Sequence, residues 1–240
     1  MTNLHIFPTI DELSEFFAEK LAGLSKSVSE GEQISVALSG GSTPRRIFQY
    51  ISQNFKDSIH WNNILFFWGD ERCVPPHHKE SNYKMTLDTL LVNNSLESSN
   101  IFRIKGENHP IEEAERYSHL VYALLPKHKD TPVFDMVLLG LGEDGHTASI
   151  FPPDITLFNS KKLFEATQNP YTGQNRITAT GRIINNARNV FFLVTGASKA
   201  EMVARLIKKQ QGYENLPASR VMPVSKNLTW LLDEQAAVLL

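Results

Sequence analysis

Ile34-Ser35-Val36-Ala37-Leu38, followed at once by Ser39-Gly40-Gly41-Ser42-Thr43-Pro44, is the stretch on which the reading of the fold turns. Five residues without a strong polar group, rich in β-branched and aliphatic side chains, fit a strand buried on both faces. The two glycines make a turn, and Ser42 or Thr43 can cap a helix whose first turn accepts Pro44, running over about residues 44–54. Working outward, the same theme recurs. Residues 64–68 read as a strand, then a polar loop, then a helix near 81–91. A helix near 111–125 precedes a strand over 136–141 and a second glycine-rich turn. A strand over 189–195 leads into a helix over 199–210. Before all of these, Thr9-x-x-Glu12 is a capping box, and Leu13, Phe16, Phe17, Leu21 and Leu24 follow at mostly helical spacing, giving a first helix over 10–28 that Ser29-Glu30-Gly31 closes. Apolar strands alternating with helices predict a three-layer α/β/α sandwich with a mostly parallel, Rossmann-like sheet. Residues 152–182 have weak periodicity and read as a small excursion from that sheet, and the whole of 1–240 reads as one domain.

Composition narrows the function classes. The chain has 240 residues, 41% hydrophobic and 21% charged, a balance that supports a sizeable core. A net charge of −2 lacks the basic excess of a nucleic-acid binder, so nucleic acid is not an expected partner. A small anion needs only a few local cations. The N-terminus shows no basic segment followed by a long apolar one, and the apolar runs fall short of the roughly 20 residues that span a bilayer. A soluble cytoplasmic protein without membrane partners is expected, as a monomer or weak homo-oligomer. The single cysteine, Cys73, agrees with a reducing compartment. Arg72 beside it could lower the thiol pKa, but no activated-cysteine motif surrounds it and a spectator thiol is expected.

In open parallel sheets ligands collect at the carboxyl ends of the strands, so the loops after the strands carry the chemistry. Gly40, Gly41, Ser42 and Thr43 offer exposed N–H groups at a helix start, a natural anion site, although the lysine of a P-loop is missing. Trp68-Gly69-Asp70-Glu71-Arg72-Cys73-Val74-Pro75 places three successive charges at the same edge. Gly140-Leu141-Gly142-Glu143-Asp144-Gly145-His146 contains G-x-G-x-x-G, with Glu165 about 20 residues on, the pattern of a dinucleotide site. Two features oppose that reading. Pro152-Pro153 stops a following helix after about two turns, and Asp144 and His146 fill space a pyrophosphate would need. Gly196-Ala197-Ser198-Lys199-Ala200 opens another helix and points a cation to the same edge.

Taken together and in order, S-G-G-S-T-P, W-G-D-E-R-x-V-P, G-x-G-x-D-G-H-T-A-S-I-F-P, G-A-S-K-A and Leu216-Pro217-Ala218-Ser219-Arg220 cover nearly the whole chain, and the combination resembles the 6-phosphogluconolactonase family. The resemblance implies a fold like that of sugar-phosphate isomerases and deaminases. It implies hydrolysis of 6-phospho-D-glucono-1,5-lactone to 6-phospho-D-gluconate, with a phosphorylated sugar lactone as the small-molecule partner and no organic cofactor; no metal is expected, because the chain has no H-E-x-x-H or cysteine cluster. It places the family's histidine on His146, its phosphate loop on Gly40, Gly41, Ser42 and Thr43, its lysine on Lys199 and its acidic-arginine loop on Asp70, Glu71 and Arg72.

These residue types suit the reaction. A lactone is an activated ester, so a positioned base suffices without covalent catalysis, and such a base contributes about 10²–10⁴-fold. An imidazole, with a reference pKa of about 6.5, is mostly neutral at cytoplasmic pH. The candidate catalytic set is His146 as general base, Asp144 to orient its ring or loop, Arg72 and Asp70; Arg72 can serve the oxyanion or the phosphate. The candidate phosphate contacts are Gly40, Gly41, Ser42, Thr43, Lys199 and Arg220. Competing readings meet specific obstacles. No G-x-S-x-G elbow supports a serine hydrolase. Adjacent His77 and His78 lack the spacing of a metal site. An amino-sugar-phosphate deaminase, which shares several of these motifs, has Asn-Glu-Pro where this chain has Ile150-Phe151-Pro152, and Phe151 cannot replace a carboxylate. A non-catalytic sugar-phosphate sensor usually carries a further domain, for which 240 residues leave little room.

Overall fold

Strand formation follows burial, and the strands with no face in water lie at the centre of the sheet. The computed structural model describes residues 2–92 and 98–240. In chain order the elements are β1 (Thr2–Phe7), α1 (Ile10–Lys26), β2 (Ile34–Leu38), α2 (Ser42–Asn54), β3 (Ile64–Trp68), β4 (Asp70–Arg72), α3 (Asn82–Thr86), α4 (Pro110–Leu124), β5 (Lys127–His128), β6 (Thr131–Pro132), β7 (Met136–Leu139), β8 (Phe164–Gln168), β9 (Asn175–Ala179), α5 (Gly181–Ile184), β10 (Val190–Val194), α6 (Ala200–Ile207), β11 (Leu228–Asp233) and α7 (Glu234–Ala237). Among the described residues six strands form one sheet in the order β1-β11-β10-β7-β2-β3, every pair parallel. All residues of β2, β7 and β10 are buried. Helices α1 and α2 pack side by side, and because parallel crossovers are right-handed, chain turns that run the opposite way along the sheet put α4 and α6 on the other face. The three-layer expectation holds.

The capping box forms as read, with the Thr9 side chain accepting from the Glu12 N–H at 3.2 Å. Two other expectations need correction, and two strands had no reading in the sequence. Strands β1 and β11 were not legible as strands. β1 leaves Leu4 and Ile6 well exposed, so it lacks the apolar signal of a buried strand. No helix follows the second glycine-rich turn; residues 143–151 run as turns, and a short 3₁₀ segment begins only at Pro152. Asp70–Arg72, read as loop, is a strand.

That last difference explains the 152–182 excursion. β8 and β9 form a hairpin that pairs antiparallel with β4 in a second, three-stranded sheet. The register sets Asp70 opposite Thr178 and Arg72 opposite Arg176. A charged triplet that would be a solvated loop by itself becomes a strand because a remote hairpin supplies its hydrogen bonds.

Edge strand β3 is closed off differently. Phe66 accepts from the Phe102 N–H at 2.8 Å, and the hydroxyl of fully buried Tyr117, from α4, accepts from the Trp68 N–H at 2.9 Å while donating to the Phe102 carbonyl at 2.9 Å. Tyr117→Phe leaves a buried N–H and a carbonyl without that partner, and is expected to cost about 1–3 kcal/mol. Urea unfolding should show a lower midpoint at unchanged slope, and an unchanged midpoint would remove this role.

Candidate active site

The parallel sheet has one place where successive connections diverge. From β2 the chain moves to β3 on one side, while from β7 it moves to β10 and then β11 on the other. At such a switch point the loops beyond the strands part and leave a crevice. A cleft of about 350 Å³ lies there, and its walls include Gly40, Gly41, Ser42, Thr43, Asp70, Arg72, His146 and Lys199. Every candidate site residue taken from the sequence is therefore in or beside one cavity, with the exception of Arg220.

The base side of the cleft is built by the turn after β7. Nδ1 of His146 lies 2.6 Å from Oδ1 of Asp144, which also accepts the His146 backbone N–H at 3.1 Å. Burial opposes ionisation of Asp144, but the hydrogen bonds and charge of His146, with the Tyr171 hydroxyl at 2.8 Å from Oδ2, more than offset this and hold its pKa down at about 2. Facing a carboxylate, Nδ1 carries the ring proton, so Nε2 is left with its lone pair. The ring packs on Phe151, with centroids 4.6 Å apart, and Phe151 is itself buried. Gly142 is required by this arrangement: a Cβ there would lie 2.1 Å from Nδ1 of His146 and 2.6 Å from Oδ1 of Asp144. The glycine in the apparent dinucleotide fingerprint thus makes room for an imidazole.

The opposite side is cationic. Arg72 and Arg176 face each other across β4 and β9, and both line the cleft. Like charges directly opposite destabilise a strand pair. Burial, and then the charge of Arg72, lowers the pKa of Arg176. The Nε of each arginine is buried without a hydrogen-bond partner among the described residues. Arg176 was not singled out from the sequence, because an isolated arginine in a weakly patterned segment carries no signal until the hairpin aligns it with Arg72. Asn82 and Asn169 line the cleft as well and were equally silent.

The remaining candidates have definite places. Asp70 is buried, accepting from Ser149 Oγ at 2.6 Å and from Asn82 at 3.4 Å, so it fixes the loop behind His146 rather than standing free. Glu71 is also buried and binds the start of α3, accepting from the Asn82 and Tyr83 N–H groups at 2.7 and 2.8 Å; burial nevertheless raises its pKa. Gly41, with φ +111°, caps α2, and no side chain bonds the helix start. Ser42 and Thr43 are therefore not caps; Thr43 Oγ1 instead meets Thr195 Oγ1 at 2.7 Å and ties the β2 and β10 loops together. Lys199 ends a 3₁₀ turn before α6, with Nζ 3.7 Å from Glu143. Arg220, at the end of the short turn Pro217–Arg220, is exposed and does not line the cleft, and its carbonyl accepts from Asn185.

Outside the cleft, burial and Glu71 push the Cys73 thiol up to about 11, against the lowering by Arg176, so it is not an activated nucleophile. Among the described residues no group of three or more His, Cys, Asp or Glu side chains is placed to hold a metal, and no helix is long and apolar enough to cross a membrane.

A parallel sheet with a carboxylate-held imidazole and an arginine-lined cleft at its switch point defines an α/β protein of the kind that collects ligands at the carboxyl ends of its strands. A profile of glucosamine-6-phosphate isomerases/6-phosphogluconolactonase matches residues 8–230. The 6-phosphogluconolactonase of Treponema pallidum is 40% identical over 200 residues, covering 83% of this chain and 82% of that one. That of Haemophilus influenzae is 36% identical over 237 residues, 98% of each. The solved structure of 6-phosphogluconolactonase from Trypanosoma brucei superposes with a TM-score of 0.85 at 28% identity, covering 99% of this chain and 98% of that one. The chain belongs to the glucosamine-6-phosphate isomerase/6-phosphogluconolactonase family.

Gly142→Ala should drive the imidazole off Asp144 while the sheet persists. In ¹⁵N-resolved NMR the hydrogen-bonded Nδ1 proton of His146 should be lost with unchanged far-UV circular dichroism; its retention would contradict the contact.

Proposed function

We propose that this protein hydrolyses 6-phospho-D-glucono-1,5-lactone to 6-phospho-D-gluconate, with His146 as the general base. The observation that carries this reading is the pairing, in a single cleft, of an imidazole whose Nδ1 is taken by a carboxylate with a cationic wall formed by Arg72 and Arg176. A sugar phosphate has its reactive carbonyl at one end and a dianion at the other, which is the chemistry such a cleft accepts.

In the mechanism, the lone pair on Nε2 removes a proton from water as the oxygen attacks the lactone carbonyl carbon. The carbonyl π electrons move onto oxygen to give a tetrahedral oxyanion. Its collapse breaks the bond to the ring oxygen, which takes the proton back from the imidazolium. The product is an open-chain acid, and the imidazole is neutral again. Asp144 acts through the ring as a positioning group: it fixes the tautomer and stabilises the imidazolium between the two proton transfers. The phosphate is assigned to Arg72, Arg176, Lys199 and the backbone N–H groups of Gly41, Ser42 and Thr43 at the start of α2, where peptide dipoles favour an anion. An anion between the opposed guanidiniums removes the repulsion that their register creates, and Arg72 thereby takes the phosphate role rather than the oxyanion role.

Phe151 bears on the choice of reaction. It packs against the imidazole, so beside the base there is an apolar ring where the deaminases of this family carry a glutamate, and Asp144 is the carboxylate that contacts His146. A simple hydrolysis needs no second acid there. Ammonia release from glucosamine 6-phosphate would overturn this assignment. The reading extends to a cytoplasmic monomer or weak homo-oligomer, where a lone, inert Cys73 stays reduced.

His146→Ala is expected to fold normally and lose at least about 10² in kcat, measured by pH-stat on freshly prepared lactone; an unchanged kcat removes His146 from the mechanism. Arg176→Ala and Lys199→Ala should each raise KM for the phosphorylated lactone by roughly 10–100-fold, the size of a lost charge-assisted contact, and leave hydrolysis of the unphosphorylated lactone almost unchanged. An equal loss on both substrates contradicts phosphate anchoring.

A further inference from the structure

The hairpin that delivers Arg176 also reaches the other end of the cleft. Its tip, residues 169–174, is tightly folded. Asn169 Oδ1 accepts from the N–H groups of Tyr171 and Thr172 at 2.9 and 3.1 Å, and the Asn169 and Gly173 N–H groups close the turn on Gln174 and Asn169 carbonyls at 2.9 Å each. Asn169 itself lines the cleft. Tyr171 is 69% exposed, yet it is not loose. Its hydroxyl donates to Oδ2 of Asp144 at 2.8 Å, and its ring meets the edge of Phe151 with centroids 6.3 Å apart. The chain Tyr171–Asp144–His146 therefore uses one carboxylate oxygen for each partner, and Phe151 packs between the two rings.

We propose that Tyr171 is a positioning residue for the general base, holding the second oxygen of Asp144 so that the first stays on Nδ1 of His146. The proposal rests on the reading of His146 as the base. A half-buried carboxylate two residues from its partner has several rotamers within reach, and Asp144 would otherwise be free to turn toward water. The tyrosine supplies the second fixed point, as outer-shell partners commonly do for catalytic imidazoles. It also has an electrostatic effect. A donor on Oδ2 draws off part of the carboxylate charge and so limits how strongly Asp144 favours the imidazolium over the neutral ring. The ionisation of Asp144 is supported by the same bond. The charged groups that line the cleft with His146 are Asp70 and Arg72 on β4, Arg176 on β9 and Lys199 before α6; all of them are retained when the tyrosine hydroxyl alone is removed. Because the hairpin carries Arg176 on one strand and Tyr171 at its tip, the segment that meets the phosphate also steadies the base.

Tyr171→Phe keeps the ring contact and deletes the hydroxyl. Without that donor, Asp144 acts more strongly on His146, the imidazolium forms at higher pH, and the neutral base is lost sooner as pH falls. The acid limb of the kcat/KM profile for the phosphorylated lactone should move up by roughly 0.3–1 pH unit, and kcat at its plateau should fall about three- to ten-fold as the carboxylate gains freedom. KM should change little. In an Asp144→Asn background the same substitution should produce no further shift of the limb. An unshifted limb in Tyr171→Phe, or a shift that persists without Asp144, overturns the proposal, even if thermal stability falls. His146→Ala run alongside separates the two readings: a variant that keeps a wild-type rate and limb disproves the base assignment, whereas an inactive His146→Ala with an unshifted Tyr171→Phe disproves only the role of the tyrosine.

Discussion

The site depends on one constraint, the reversal between β2 and β7 of the direction in which the crossover connections move along the sheet. Parallel strands send all their carboxyl ends to one edge of the sheet, and where neighbouring strands connect in opposite directions the loops must part. β2 and β7 are paired at Val36 and Ala37, so the turns that follow them, Gly40–Thr43 and Gly140–His146, flank the same gap. The β10 loop closes toward it through the Thr43–Thr195 contact. Anion donors and an imidazole more than a hundred residues apart in the chain become neighbours because of sheet order alone.

A second architectural step gives this crevice its arginine wall. The β8–β9 hairpin leaves the main sheet and recruits Asp70–Arg72 as its third strand. That pairing organises several features together. It sets Arg72 opposite Arg176, buries Asp70 against Ser149 in the loop of the base, and leaves Glu71 free to bind the start of α3. The three successive charges of this strand thus have three different tasks, with Asp70 and Arg72 on one face and Glu71 on the other. Two half-buried guanidiniums in register repel each other, and an anion between them would relieve that repulsion.

Close packing around the imidazole is equally restrictive. Gly142 lies against it on one side, Phe151 on another, and Asp144 occupies Nδ1. The ring is left with Nε2 as its free nitrogen. In the turn that resembles a dinucleotide fingerprint, Gly142 is needed for this reason, and Gly145, with φ +83°, allows the chain to reverse between Asp144 and His146. The same spacing of glycines serves two unrelated chemistries, and what distinguishes them is the bulk of the residues between the glycines.

Local signals determined the elements that are buried on both faces or capped in the usual manner. The strands at residues 34–38, 64–68 and 190–194, the Thr9 cap and the expectation of a parallel sheet follow from side-chain apolarity and short-range hydrogen bonding, which are properties of neighbouring residues. The ordered motifs located Gly40, Gly41, Asp144, His146 and Lys199 at strand ends, hence at one edge. Tertiary structure alone decided the rest. Arg176 joined the cleft, Asp70–Arg72 became a strand, Tyr171 reached Asp144, and Arg220 lay outside the cleft lining. These outcomes depend on the register of a hairpin with partners about a hundred residues distant, and on the direction of a four-residue turn. Neither leaves a periodic trace in the chain, because the energy that fixes them comes from pairing and packing between segments and not from any segment by itself.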